Sequence, residues 1–187
     1  LVYLDCNNLF CIDLVSSKSR IKKNGWVKSA KLKYILPSKL KITISEEKPY
    51  FLLKKNNQFT LLNINGKEIE VLDSFESNYN NLIVLSGNGA ENKVEHLIKI
   101  LKVSNEITSK ITSANLISNR RWSLIYNSTV TIELPEENAI QALYKISQLE
   151  EKYNLLSSKL KKIDLRISDR MIIELNTKTS YAKENNI

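Results

Sequence analysis

The 187-residue chain carries 28 Lys and Arg against 20 Asp and Glu, a formal charge of +8, and 42% of its residues are hydrophobic. That is enough for a real core in one medium domain, or in one small and one medium domain, and four glycines and three prolines exclude a collagenous or low-complexity chain. The charge raises nucleic-acid binding, but 23 Lys against 5 Arg, spread along the chain with no matching motif, argue against it; abundant Asn and Ile fit an AT-rich coding bias instead.

No run of about 18 apolar residues is present to make a membrane-spanning helix. The sequence begins at Leu1 rather than Met, which raises the expectation of a preceding N-terminal part with a signal or an anchor. Residues 1–10 read as a strand or extended entry. Cys6 and Cys11 are the only cysteines and His96 the only histidine. The three cannot complete a four-ligand zinc site, and Cys-x4-Cys is not a redox Cys-x-x-Cys. The two thiols either form a disulfide, given the right geometry and an oxidising compartment, or remain small and partly buried.

Asp13 is placed to cap a helix reaching about Asn24, with Gly25 as its stop and Leu14 and Ile21 facing inward. A strand follows over 26–34, where Ala30, Leu32 and Tyr34 alternate with Lys31 and Lys33. After a turn over 35–39 containing Pro37, Leu40, Ile42 and Ile44 alternate with Lys41, Thr43 and Ser45, a second half-buried strand antiparallel to the first. Pro49 ends it.

Residues 50–53 and 59–62 are short strands around a polar turn. Asn65-Gly66 predicts a hairpin with positive φ at both positions, returning through 67–72. A polar loop over 73–81 leads to a strand over 82–85 and to Ser86-Gly87-Asn88-Gly89. Val94, Leu97, Ile98 and Leu101 sit at helical spacing, predicting a helix over 91–103 with His96 off its apolar stripe. Three strands follow over 111–117, 122–126 and 129–134, the last two joined by Asn127-Ser128. Pro135, Glu136 and Glu137 suit a helix start. Ile140, Leu143, Tyr144, Ile146 and Leu149 give that helix a broad apolar face to about Tyr153. Residues 161–175 read as one long strand with Ile163, Leu165 and Ile167 on one face and a bulge near Ser168-Asp169. Residues 177–187 form a polar tail.

Nothing along the chain amounts to a catalytic constellation. His96 has no nucleophile elbow beside it. Glu46 and Glu47 point to opposite faces of a strand. The segment 86–91 lacks the Walker lysine and the full G-x-G-x-x-G spacing, so it reads as a turn rather than a phosphate cradle. The sequence therefore predicts no enzyme, no cofactor and no metal.

Two stretches carry a resemblance. Gly25-Trp26-Val27 with its basic strand, Pro37, Leu40-Lys41-Ile42 and Glu46-Glu47-Lys48-Pro49 resembles the end of a POTRA domain of the bacterial cell-division family FtsQ/DivIB. Arg120-Arg121-Trp122 and Ile163-Asp164-Leu165-Arg166 are similar to two strands of that family's β domain. Asn65-Gly66-Lys67 and the 82–89 segment fit between them, in the family's order. The chain departs from the pattern at Ile167, at Leu175, at Pro135 and at the turn of the last hairpin, where Asp169 or Arg170 replaces a glycine.

The resemblance implies an α+β fold, with the C-terminal part of a POTRA domain over 1–49 followed by a mostly antiparallel β domain with two helices over 50–176. It implies a non-enzymatic divisome scaffold that recruits the FtsB–FtsL complex by β-strand addition and helps control septal peptidoglycan synthesis. Other divisome components would be bound through the POTRA domain. It also implies a single-pass inner-membrane protein with this region on the periplasmic side at the septum. Partner-binding candidates are Arg120, Arg166, Ile167, Ser168, Asp169, Arg170, Met171, Ile173 and Leu175, with Glu46 and Pro49 at the domain junction. Trp26, Val27, Ile44 and Trp122 are candidate core, and Asp164 either pairs with an arginine or is a strand-end polar residue. The edge of 163–175 would span about 40 Å if fully extended. Alternatives are an outer-membrane assembly or secretion POTRA protein, which tandem POTRA repeats or a barrel would mark, and a basic nucleic-acid module.

Overall fold

The computed structural model describes residues 12–176 apart from 57, 76, 157, 158 and 168. The expectations placed on residues 1–10, on Cys6 and Cys11, on Ser168 and on the 177–187 tail lie outside the described residues.

Asp13 opens helix α1 (Leu14–Lys22) as its composition predicts: one carboxylate oxygen accepts the Val15 N–H at 2.8 Å and the other accepts the Ser16 hydroxyl at 2.6 Å. α1 packs on β1 (Val27–Ile35), which pairs antiparallel with β2 (Lys39–Glu46) in a sheet of two strands. Ala30 faces Ile44, Leu32 faces Ile42 and Tyr34 faces Leu40 across that hairpin. Ala30 and Val27 are buried, but Ile42 and Ile44 are 47% and 49% exposed. The alternation in β2 is real, yet its apolar face is largely uncovered. One nine-residue helix lies over β1, and no described element lies over β2. Ile44 is therefore not a core residue.

The remaining strands form one sheet of nine in the order β11-β10-β9-β8-β7-β6-β3-β4-β5. They are β3 (Phe51–Lys55), β4 (Gln58–Leu62), β5 (Glu68–Leu72), β6 (Ile83–Ser86), β7 (Ile111–Ile117), β8 (Arg121–Tyr126), β9 (Val130–Glu133), β10 (Leu160–Asp164) and β11 (Ile172–Leu175). Five of its eight pairings are antiparallel; β3–β6, β6–β7 and β9–β10 are parallel. The mostly antiparallel α+β architecture is as expected. The sheet carries three helices rather than two: α2 (Val94–Leu101), α3 (Asn105–Thr108) and α4 (Ala139–Tyr153). α3 is a single turn capped by Ser104, too short to give a periodic signal.

Strand alternation splits the core in two. Phe51, Leu53 and Leu62 join Leu97, Ile100, Trp122, Leu124, Ile132, Leu143 and Ile146 under the helices. Leu52, Leu61, Ile69 and Leu72 form a smaller cluster with Trp26 packed against it. Trp26 thus belongs to the contact between the hairpin unit and the sheet. Its indole N–H donates to Glu70 at 2.8 Å. Gly25 lies so close to β5 that a Cβ there would sit 1.9 Å from the Ile69 carbonyl oxygen.

Four local expectations change. In the β4–β5 turn only Gly66 takes positive φ; the Asn63 side chain holds the loop by accepting the N–H groups of Asn65 and Lys67. α4 begins at Ala139, after Asn138 in a left-handed conformation. Its buried stripe is Ala139, Leu143, Ile146 and Glu150, so Ile140 and Tyr144 are exposed. Residues 161–175 are not one strand but the hairpin β10–β11, joined by 165–171. His96 is half-buried rather than a plain surface residue, and burial, then Lys93 and Lys99, push its pKa down.

Candidate partner-binding edge

The exposed edge of the large sheet opposite β5 is β11. It exists because α4 returns the chain from β9 to a parallel strand, β10, and the 165–171 turn then folds β11 back antiparallel. β11 is hydrogen-bonded on one side only. Asn176 donates to the Lys159 carbonyl on that side at 2.8 Å, while Leu165 donates to Glu133 on the β9 side of β10. Main-chain groups alternate sides along a strand. Ile172 and Glu174 therefore turn their N–H and C=O toward β10, and Ile173 and Leu175 turn theirs to the open edge.

The same register fixes the side chains. Ile173 stands opposite the fully buried Ile163, and Leu175 opposite the buried Leu160. Both extend the helix-side apolar layer past the cover of α4 and are 43% and 61% exposed. Four residues give an edge of about 13 Å, not the 40 Å of a single long strand.

Beside the edge, the first half of α4 and the 165–171 segment enclose a groove of about 470 Å³, whose lining includes Pro135, Ala142, Lys145, Ile167, Asp169 and Met171. The α4 side of it has no signal in the sequence except the small residue Ala142.

The charged candidates are already engaged. Arg166 contacts both carboxylate oxygens of Asp164. The Arg166 hydrogen bond holds the buried Asp164 carboxyl below its usual range, and the carboxylate raises the guanidinium in return. Asp164 is thus an arginine partner. Arg120 lies 3.5 Å from Glu136, both exposed, and Arg170 lies 3.2 Å from Asp169. The structure brings Ile167, Asp169, Arg170 and Met171 to the groove, and Ile173 and Leu175 to the edge. Arg120 and Arg166 sit at the same end of the sheet, Arg120 before β8 and Arg166 after β10. Trp122 is 1% exposed and belongs to the core. At the junction, Glu46 is exposed at the end of β2, and it is the half-buried Glu47 that approaches Lys67 at 3.8 Å. Pro49 is half-buried between β2 and β3. Among the described residues no group of three or more His, Cys, Asp or Glu is arranged around a metal position.

Residues 51–166 match the family model "Cell division protein FtsQ/DivIB, C-terminal" and residues 4–47 match "POTRA domain, FtsQ-type". The chain is 29% identical over 166 residues to the cell division protein FtsQ of Novosphingobium aromaticivorans, covering 88% of this chain and 51% of that protein. It is 28% identical over 166 residues to the FtsQ of Cereibacter sphaeroides, covering 89% and 54%, and 29% identical over 169 residues to that of Rickettsia bellii, covering 90% and 62%. The chain thus spans about half the length of the first two of these relatives. A solved extracytoplasmic domain of the cell division protein DivIB from Geobacillus stearothermophilus aligns with a TM-score of 0.40 at 11% identity, over 61% of this chain and 99% of that one.

Proposed function

Because the chain belongs to the FtsQ/DivIB family of cell division proteins, we propose that it is a non-enzymatic scaffold of the division machinery whose β11 edge takes up a strand from an FtsB-type partner. One observation carries this reading: Ile173 and Leu175 offer unused main-chain donors and acceptors on an edge whose side chains are apolar and open. An exposed apolar edge invites uncontrolled pairing, so a soluble fold gains from a dedicated occupant. The added strand supplies main-chain hydrogen bonds, and alternate side chains supply selectivity. Ile173 and Leu175 would be covered by the partner, while the groove along α4 receives the segment leading into its strand. Arg120, Arg166 and Arg170 would meet its acidic side chains with donors left over from their own carboxylates.

On this reading residues 1–49 belong to a POTRA domain, 50–176 are the β domain, and 177–187 are a tail. Glu46 and Pro49 lie at the hand-over, with Glu47 making the ionic contact. The whole protein sits at the septum in the inner membrane through a preceding helix, with this region on the periplasmic side. Recruitment of the FtsB–FtsL complex is how it influences septal peptidoglycan synthesis, and its POTRA domain meets other divisome components.

Isothermal titration with an FtsB-type periplasmic segment tests the reading. Ile167→Glu places a charge at the rim of the groove and is expected to weaken binding by about tenfold or more, the scale of one buried unpaired polar group. Unchanged affinity with a native circular dichroism spectrum would remove the groove from the site.

A further inference from the structure

The lysines are spread along the chain, but the net charge is not. Residues 12–49 hold ten Lys or Arg and three Asp or Glu, whereas residues 50–176 hold sixteen and fifteen. The small unit of α1, β1 and β2 therefore accounts for nearly all of the excess charge.

Within it the charge has a face. Ala30, Leu32 and Tyr34 point toward α1, so alternation turns Lys31, Lys33 and Ile35 to the other side. The register sets Lys33 directly opposite Lys41, Ile35 opposite Lys39 and Lys31 opposite Thr43. Like charges facing each other across a strand pair destabilise it. Among the described residues none of Lys31, Lys33, Lys39 and Lys41 has an acidic partner. The unit's acids are elsewhere: Asp13 caps α1, Glu46 ends β2, and Glu47 approaches Lys67 on the large sheet. The groove between α1 and β1 adds Lys18 and Lys22 of the helix, and Lys31 at the strand's edge reaches its rim.

The tip of the hairpin adds an apolar element. Ile35 and Leu36 are 43% and 67% exposed, flanked by Lys33 and Lys39. The tip lies at the far end of the strands from Trp26 and Glu47, about 27 Å from the contact with the large sheet. Lysines around an exposed aliphatic tip match a bilayer interface, where the aliphatics enter the acyl boundary and the ammonium groups reach headgroup phosphates. Nucleic acid is a poorer fit. Single strands bind on aromatic stacking platforms, and Tyr34, the one aromatic of the hairpin, faces α1 and donates its hydroxyl to the Ile12 carbonyl.

We propose that the β1–β2 hairpin is an anionic-lipid docking surface, with Lys31, Lys33, Lys39 and Lys41 on headgroup phosphates and Ile35 and Leu36 inserted. The surface is independent of the partner-strand reading. β5, on which the unit rests, and β11 are opposite edges of the nine-stranded sheet, about 38 Å apart.

The test is co-sedimentation of the 187-residue chain with vesicles of phosphatidylcholine containing about 30% phosphatidylglycerol, at an ionic strength where surface charge is only partly screened. The chain is expected to bind these vesicles, to ignore pure phosphatidylcholine and to be released by high salt. Lys41→Glu lowers the charge by two units and is expected to weaken binding about 30-fold, while thermal stability holds or rises because the pair with Lys33 becomes attractive. Leu36→Ser should weaken vesicle binding and leave the melting temperature unchanged. Three results would overturn the proposal: no binding to the anionic vesicles, binding by both variants as tight as the parent's, or binding of a single-stranded oligonucleotide in preference to vesicles with Leu36→Ser indistinguishable from the parent.

Discussion

The Arg166 guanidinium holds both carboxylate oxygens of Asp164, two residues back along the chain, with Nε at 2.8 and 2.9 Å and a terminal nitrogen at 2.6 Å. The Arg166 backbone N–H adds a fourth contact at 3.1 Å. This pair fixes the direction in which the chain leaves β10, and so the placement of the turn that brings β11 to the sheet.

The ion pair should be visible in the pH dependence of stability. The folded carboxyl of Asp164 titrates below its ordinary value of 3.8, mainly through the Arg166 hydrogen bond. Its contribution is therefore present above that value and lost as pH falls through the folded pKa. Asp164→Asn is expected to cost about 1 kcal/mol at neutral pH, below the usual range for a charged hydrogen bond because Arg166 is half in solvent. Urea unfolding should show the gap between the two proteins closing as pH falls below 3.8. A gap independent of pH would mean that the pair contributes by shape alone.

Gly25 should be intolerant of any side chain. Alanine there would collide with the Ile69 carbonyl, and backbone cannot yield as a flexible side chain does. Gly25→Ala is expected to cost about 1–3 kcal/mol, as overpacking does, and to loosen Trp26 from Glu70. In a Trp122→Phe background the remaining indole reports the junction alone, and its emission should shift to the red. An unshifted spectrum would show that the hairpin unit keeps its seat.

Proline substitutions at neighbouring positions of β11 should have opposite consequences. Proline lacks the N–H that a ladder needs. Ile173→Pro removes an outward donor, so the melting temperature should hold while partner affinity drops about tenfold. Ile172→Pro removes a donor facing β10, so it should unseat β11 and lower the melting temperature. Equal effects on affinity and stability from the two variants would contradict the assigned register.

Much of this was legible in the sequence where local chemistry decides. The Asp13 cap, the α2 stripe and the Asn127-Ser128 turn all follow from residue type and spacing. What escaped depends on what lies across from a segment. Ile42 and Ile44 alternate as a buried face does, yet one short helix cannot cover two strands. Residues 161–175 alternate well enough for one strand, and without a glycine Ser168-Asp169 signals a bulge rather than a full reversal of the chain. Glu150 gives no apolar signal, yet it is buried, accepting the Leu156 N–H at 2.6 Å. That loop closure is invisible to helical periodicity, which predicts apolar Ile140 and Tyr144 inside instead. The motif residues around Arg120 and Arg166 were found by resemblance, whereas the groove along α4 needs the three-dimensional fold.

Amide hydrogen exchange at β11 tests the central claim most directly. In the free chain the N–H groups of Ile173 and Leu175 should exchange fast, and those of Ile172 and Glu174 slowly. Saturation with an FtsB-type segment should protect Ile173 and Leu175 and leave their two neighbours unchanged. Binding of the segment with Ile173 and Leu175 still exchanging at the free rate would contradict strand addition at this edge.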